Sequence, residues 1–109
     1  MTKTKRLKFS DPWPDLILEG KKYTTWRIED EKHICPGDTL ILCREDGNEF
    51  GRAVVLWSKE TTFADLTDED RDGFERFASD KKMYEIFSYY YGIEVGPNTH
   101  LKVVRFRLI

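Results

Sequence analysis

The stretch GKKYTTWRI, residues 20–28, opens with a glycine and two lysines and continues with β-branched and aromatic residues. A glycine at the end of a helix lets the backbone turn sharply, and the residues after it are typical of a strand. Alternation along that strand separates Thr25 and Arg27 from Trp26, which we expect to face the core. The segment therefore predicts a turn and a strand that present Lys22, Thr25 and Arg27 to a phosphate or carboxylate.

Around this stretch, the residue pattern predicts the order strand, helix, three strands, two helices, strand. The predicted strands are residues 6–9, 23–28, 39–44, 50–59 and 100–109, and the predicted helices are residues 11–20, 67–73 and 79–92. Tight turns join the middle strands, which are therefore expected to be antiparallel. A small bent sheet tends to close so that its edges are hidden. The predicted fold class is α+β, a small mixed β-barrel with a short helix after the first strand and a helical insertion before the last strand.

Length and composition restrict the class of protein. A chain of 109 residues predicts a single domain, residues 1–109. It contains no apolar run near the ~18 residues of a membrane span, and the N-terminus does not resemble a signal peptide. We therefore expect a cytoplasmic protein, without a membrane partner. Two cysteines and two histidines favour free thiols over a metal site, and no cofactor is expected.

Charge is distributed unevenly along the chain. Residues 1–28 contain seven lysines and arginines and three acidic residues. Residues 95–109 contain three lysines and arginines and no acidic residue. The middle, residues 29–94, is strongly acidic. If the last strand pairs with residues 5–9 or with the strand after Tyr23, the two basic segments form one basic face, although basic residues are also common on solvated strand edges.

A basic face together with aromatic side chains is typical of nucleic-acid binding, in which cations contact phosphates and rings stack on bases. The candidate residues are Lys21, Lys22, Arg27, Arg105 and Arg107 for phosphate contacts, and Trp13, Tyr23 and Trp57 for stacking.

The run LKFSDPWPDLILEGKKYTTWRI (7–28), followed by ICPGDTLIL (34–42), resembles the ASCH domain, the activating-signal-cointegrator homology branch of the PUA-like superfamily. The residues that match the family pattern are Gly20, Lys22, Thr25, Arg27, Ile34, Gly37 and Asp38. The resemblance spans essentially the whole chain. It implies a PUA-like β-barrel whose cleft is lined by residues 20–27 and binds RNA or a nucleotide.

The same resemblance implies a possible enzymatic activity. Some small bacterial members of the family remove the acetyl group from N4-acetylcytidine, with a lysine, a threonine and a glutamate. Lys22 and Thr25 match the first two, and either Asp72 or Glu75 could supply the acid. A threonine hydroxyl is a weak nucleophile until a neighbouring base accepts its proton, and a lysine with a lowered pKa can be that base.

Three functions remain open from the sequence. The first is binding of RNA, a nucleoside or a nucleotide in a basic cleft around residues 20–27. The second is an amidohydrolase with Thr25 as nucleophile and Lys22 as base. The third is a protein-interaction module in the regulation of transcription or translation. A monomer is the favoured oligomeric state.

Overall fold

The computed structural model describes residues 3–28 and 31–109. The strands in these two ranges are β1 (Thr4–Phe9), β2 (Thr24–Arg27), β3 (Thr39–Arg44), β4 (Glu49–Thr62) and β5 (His100–Leu108). The α-helices are α1 (Trp13–Leu18), α2 (Asp68–Arg71) and α3 (Asp80–Tyr91), and a 3-10 turn covers Phe63–Asp65. The predicted order of elements is confirmed.

The strands form one mixed sheet in the order β1-β3-β4-β5-β2. Strand β1 runs parallel to β3, and the other neighbours are antiparallel. Strand β5 pairs with β4 along one edge and with β2 along the other, where Thr25 lies opposite Val104. This confirms the predicted pairing of the last strand with the strand after Tyr23. The sheet is a half-barrel with β1 and β2 at its two ends, and the fold class is α+β, as predicted.

Hydrophobic side chains cover both faces of the sheet. The first core cluster consists of Leu7, Phe9, Ile17, Ile34, Leu40, Leu42, Ala53, Val55, Val104 and Phe106, with Trp13 and Phe50 packed against it. The second cluster joins the sheet to the helical insertion and consists of Trp26, Phe63, Met83, Phe87, Val95, Leu101 and Val103. Within β5, Leu101 and Val103 belong to the second cluster, and Val104 and Phe106 belong to the first, so the middle of β5 is buried on both faces.

The helical insertion begins and ends at the residues that the sequence indicates. The Thr67 hydroxyl accepts a hydrogen bond from the Asp70 backbone N–H, and the Asp70 carboxylate accepts one from the Thr67 N–H, which makes a capping box at the start of α2. At the start of α3, Ser79 accepts a hydrogen bond from the Lys82 N–H. Gly92 ends α3 in the left-handed conformation, with φ of 68°.

Asp38 anchors β1, the strand at one end of the sheet. Its buried carboxylate accepts hydrogen bonds from Lys5 Nζ at 2.7 Å, from the Lys3 N–H at 2.9 Å and from the Cys35 N–H at 2.9 Å. Burial alone would raise the pKa of Asp38, but these bonds outweigh it and lower the pKa to about 2. The ionised carboxylate therefore stabilises the native state.

Replacement of Asp38 by asparagine tests this anchor. Because the native pKa is lowered, the carboxylate contributes stability above its ordinary pKa, and that contribution is lost as the pH falls toward 2. We expect Asp38→Asn to lower the free energy of unfolding at pH 7 by roughly 2 kcal/mol. The difference from the native protein should shrink between pH 4 and pH 2, as measured by urea unfolding. Asp11→Asn, at an exposed ion pair, is the matched control and should change little. A pH-independent difference would contradict the role of the charge.

Candidate functional site

Lys22, just before β2, is buried, with only 4% of the residue exposed. Its Nζ lies 3.0 Å from Glu75 Oε1 and 3.1 Å from Glu75 Oε2. It also donates a hydrogen bond of 3.0 Å to the Thr24 carbonyl oxygen. Since lysine is rarely buried without a partner, this ion pair is the most unusual polar contact near the predicted site.

Two aromatic rings accompany the ion pair. Lys22 Nζ lies 4.1 Å from the ring centroid of Phe74 and 5.7 Å from that of Trp13, within the range of cation–π attraction. A pocket of about 320 Å³ opens beside them, and we name it the Lys22 pocket. It is lined by Trp13, Leu16, Lys21, Lys22, Phe74, Glu75 and Arg76.

The turn after α1 brings Lys22 to Trp13. Gly20 has φ of 79°, and the backbone N–H groups of Lys21 and Lys22 both donate to the Leu16 carbonyl oxygen, at 2.9 and 3.2 Å. The chain is thereby folded back onto the helix that carries Trp13. This explains the glycine in the sequence, since its φ is costly for any other residue.

A second glycine brings Glu75 to the same place. Gly73 has φ of 73°, and its carbonyl oxygen accepts hydrogen bonds from the N–H groups of Tyr23 and Thr24, at 3.0 and 3.1 Å. A Cβ at this position would lie 2.4 Å from the Tyr23 ring. Only glycine therefore fits between the end of α2 and the start of β2, and the two residues that follow it, Phe74 and Glu75, reach the pocket.

Burial controls the charge state of Lys22. Desolvation lowers the pKa of Lys22, while the adjacent Glu75 carboxylate raises it, and the net result is a pKa below the ordinary value. The cause of the lowered pKa is therefore burial. A lysine of this kind loses its proton more readily than an exposed one, so it can act as a general base.

The structure separates the two candidate acids. The Glu75 side chain is 14% exposed and contacts Lys22, whereas the Asp72 side chain is 60% exposed and lies 3.9 Å from Arg105. A hydrogen bond with Asp72 raises the pKa of Tyr23. Glu75 is therefore the carboxylate in the Lys22 pocket.

Arg105 forms a separate cluster on the other side of β2. Its guanidinium donates to Thr24 Oγ1 and to the Glu69 carbonyl oxygen, both at 2.8 Å. It also lies over the rings of Tyr23 and Trp57, 4.9 and 5.2 Å from their centroids. These three predicted binding residues, Arg105, Tyr23 and Trp57, thus hold α2 against the sheet and do not line the Lys22 pocket.

Thr25 is buried, with 6% exposed, and is not among the residues that line the pocket. It lies opposite Val104, which belongs to the first core cluster. Trp13 packs against the same cluster. The Thr24 carbonyl that accepts from Lys22 belongs to the peptide that joins Thr24 to Thr25. The threonine therefore adjoins the lysine through the backbone and faces the same side of the sheet as Trp13.

The remaining candidates lie in different places. Lys21 is exposed at the pocket, with its Nζ 3.3 Å from Glu19. Arg27 lines a second pocket, and Arg107 is exposed on β5 opposite Val54. The predicted basic rim is thus not one surface in contact with the Lys22 pocket.

Sequence reasoning did not name Leu16, Phe74 or Arg76 as pocket residues. Phe74 could have been found, because it is the aromatic residue directly after Gly73, the glycine that follows α2. Across residues 3–28 and 31–109, no three histidine, cysteine, aspartate or glutamate residues are grouped to hold a metal ion. None of the helices in the same ranges is long and apolar enough to cross a membrane.

No protein-family model matches the sequence, and no curated protein matches it significantly. Solved structures do resemble it. An ASCH domain from Lactobacillus crispatus superposes with a TM-score of 0.71 and 16% identity, over 98% of this chain and 79% of that chain. A DUF984 protein from Enterococcus faecalis superposes with a TM-score of 0.76 and 12% identity, over 100% of this chain and 81% of that chain. A Pyrococcus furiosus protein solved by NMR superposes with a TM-score of 0.66 and 17% identity, over 99% of this chain and 98% of that chain.

The identities are too low to carry an activity from one chain to another, but the superpositions cover almost the whole chain. The protein has the fold of an ASCH domain.

Proposed function

We propose that the protein binds a nucleoside or nucleotide, free or within RNA, with the base in the Lys22 pocket. The observation that carries this proposal is the buried Lys22–Glu75 pair beside the rings of Trp13 and Phe74, at the edge of an open pocket. A volume of about 320 Å³ lies within the usual range of small-ligand sites.

The chemistry of the pocket suits a base. Aromatic walls offer a stacking surface, and an ammonium beside a carboxylate offers a donor and an acceptor to the polar edge of a ring. Lys21 and Arg76, both exposed on the pocket lining, could contact a phosphate. The ASCH fold supports the same proposal, because the PUA-like resemblance implies RNA or nucleotide binding.

Substitutions of two tryptophans test base stacking. Trp13→Leu should weaken binding of cytidine or a short single-stranded RNA by ~1–3 kcal/mol, the contribution of stacking one base on an aromatic side chain. Trp57→Leu is the matched control, because Trp57 stacks on Arg105 outside the pocket. Isothermal titration calorimetry measures both, with thermal unfolding as the check on folding. Equal losses from the two variants would contradict the assignment of the base to this pocket.

Charge substitutions test the phosphate contact. Lys21→Gln should weaken RNA binding and reduce the slope of log K against log salt by about one, as expected when one phosphate contact is lost. Arg107→Gln removes an exposed cation from β5 and should leave the slope unchanged. If Arg107→Gln reduces the slope and Lys21→Gln does not, the RNA lies on another surface.

A second candidate function is hydrolysis of an acyl amide on the base, as in N4-acetylcytidine. It is favoured by one observation, the contact of Lys22 with Glu75 together with the lowered pKa of Lys22. In this proposal Thr25 Oγ attacks the acetyl carbonyl carbon while neutral Lys22 accepts the hydroxyl proton. The C–N bond then breaks, and the proton passes to the leaving amine. Water cleaves the acetyl-threonine ester, so that one amide and one water give cytidine and acetate.

Three variants separate the roles in this mechanism. Thr25→Val keeps the β-branched shape that a strand favours, so it should fold normally and lose turnover. Glu75→Gln should lose most activity, while Asp72→Asn should retain it, because only Glu75 contacts Lys22. The assay is acetate release from N4-acetylcytidine. Absence of turnover by the native protein rejects this candidate, and turnover that survives Thr25→Val rejects threonine as the nucleophile.

The pH profile tests Lys22 as the base. The active form is the neutral amine, so kcat/KM should rise with pH to a plateau whose midpoint lies below the ordinary lysine value of 10.5. Because Glu75 raises the pKa of Lys22, residual activity of Glu75→Gln should reach its plateau at lower pH than the native activity. A midpoint that is unchanged or shifted upward in Glu75→Gln would exclude Lys22 as the titrating base.

A further inference from the structure

A second pocket, of about 340 Å³, shares no lining residue with the Lys22 pocket. Its lining residues are Arg27, Ile28, His33, Glu60, His100, Leu101 and Lys102. We name it the Arg27 pocket. It contains both histidines of the 109-residue chain.

The register of β2, β5 and β4 determines which charged residues of this pocket are neighbours. Arg27 of β2 lies opposite Lys102 of β5, and Lys102 lies opposite Glu60 of β4. Directly opposite residues share a face of the sheet, so the three side chains form a row. His100 precedes Lys102 by two residues and therefore lies on the same face.

Arg27 is half-buried on β2, and one of its donors is unsatisfied. Within residues 3–28 and 31–109, its Nε is buried and has no hydrogen-bond partner. By contrast, Arg105 donates from Nε and Nη2 to Thr24 Oγ1 and to the Glu69 and Asp72 carbonyl oxygens. A buried N–H without an acceptor is unfavourable, and in most structures such a group is satisfied by protein, water or ligand.

The carboxylate of Glu60 is poorly placed to serve Arg27. The strand order puts Lys102 between them, and two strand spacings separate β4 from β2 by roughly 10 Å. Lys102 itself donates to the Ile34 carbonyl oxygen at 3.0 Å. The Arg27 pocket therefore combines the arginine with two histidines and Lys102, and the Glu60 carboxylate lies on the far side of Lys102.

We propose that the Arg27 pocket is a binding site for an oxyanion of the phosphate type. The planar guanidinium of Arg27 supplies the Nε–H and an Nη–H as a paired donor, the geometry that matches two oxygens of a phosphate. The imidazoles of His33 and His100 can donate further hydrogen bonds to the same group. This site is independent of base binding in the Lys22 pocket.

Phosphate titration followed by NMR tests the proposal. The protein is titrated with inorganic phosphate at constant ionic strength, with chloride as the replacing anion, and the ring resonances of the two histidines are recorded. Saturable shifts are expected in both. Arg27→Gln should weaken the apparent affinity at least about tenfold, the loss of a charge-assisted hydrogen bond. Lys81→Gln, at an exposed position on α3 outside both pockets, should leave the phosphate affinity unchanged.

A parallel titration distinguishes the sources of the anion. Shifts with uridine monophosphate at lower concentration than with inorganic phosphate would identify a phosphate ester as the preferred ligand, and the reverse order would identify the free ion. Uridine without phosphate should not shift the histidine resonances, even if it binds in the Lys22 pocket.

Folding of the variants is checked by amide spectra. If Arg27→Gln does not fold, His100→Gln, at an exposed position, replaces it and should weaken phosphate binding at least about threefold. The proposal is overturned if neither anion gives saturable histidine shifts, or if a folded Arg27→Gln protein binds phosphate as tightly as the native protein.

Discussion

Strand β5 is hydrogen-bonded along both edges and buried on both faces, and the rest of the structure depends on it. Its neighbour β2 carries Thr25 and Arg27 and begins two residues after Lys22. Both pockets therefore depend on the position of β2. This strand lies at one end of the sheet, and its partner in the sheet is β5. The same strand, β5, contributes to both core clusters, since Val104 packs into the first cluster and Val103 into the second.

Those elements of the fold that are determined locally could be predicted from the sequence. Caps at Thr67 and Ser79 and the stop at Gly92 are hydrogen bonds and a backbone conformation within a few residues, so residue identity indicates them. The pairing of β5 with β2 was also predicted, although in the part of the chain that the structure describes the sheet does not close on itself, and β1 and β2 remain at its two ends. The sequence did not indicate that both faces of β5 are covered, since that depends on where the helical insertion packs.

The candidate site was predictable in part for the same reason. Lys22 and Thr25 lie within one short segment, and their positions relative to the strand follow from alternation. The acid lies about fifty residues later in the chain, and a choice between Asp72 and Glu75 requires the path of the backbone through Gly73. That path is fixed by two hydrogen bonds to the Gly73 carbonyl and by contact with the Tyr23 ring, which are tertiary contacts. Arg105 shows the opposite case, a basic residue that looked available for a ligand but is held by the protein itself.

The energetics of the Lys22–Glu75 pair support the proposal of a site in this region. Burial of a lysine costs free energy that its partner only partly offsets, and a well-packed apolar pair would often be at least as stable. The lowered pKa of Lys22 is consistent with that cost, because burial disfavours the charged amine more in the native state than in the unfolded chain. Between the lowered native pKa and the ordinary lysine pKa, the unfolded state therefore binds more protons at this position, and stability rises with pH across that range. Asp38 has the opposite sign: its lowered pKa marks a charge that stabilises the fold. One buried charge thus holds β1 in the sheet, whereas the other destabilises the native state beside an open pocket, which is the pattern expected of a side chain retained for its chemistry.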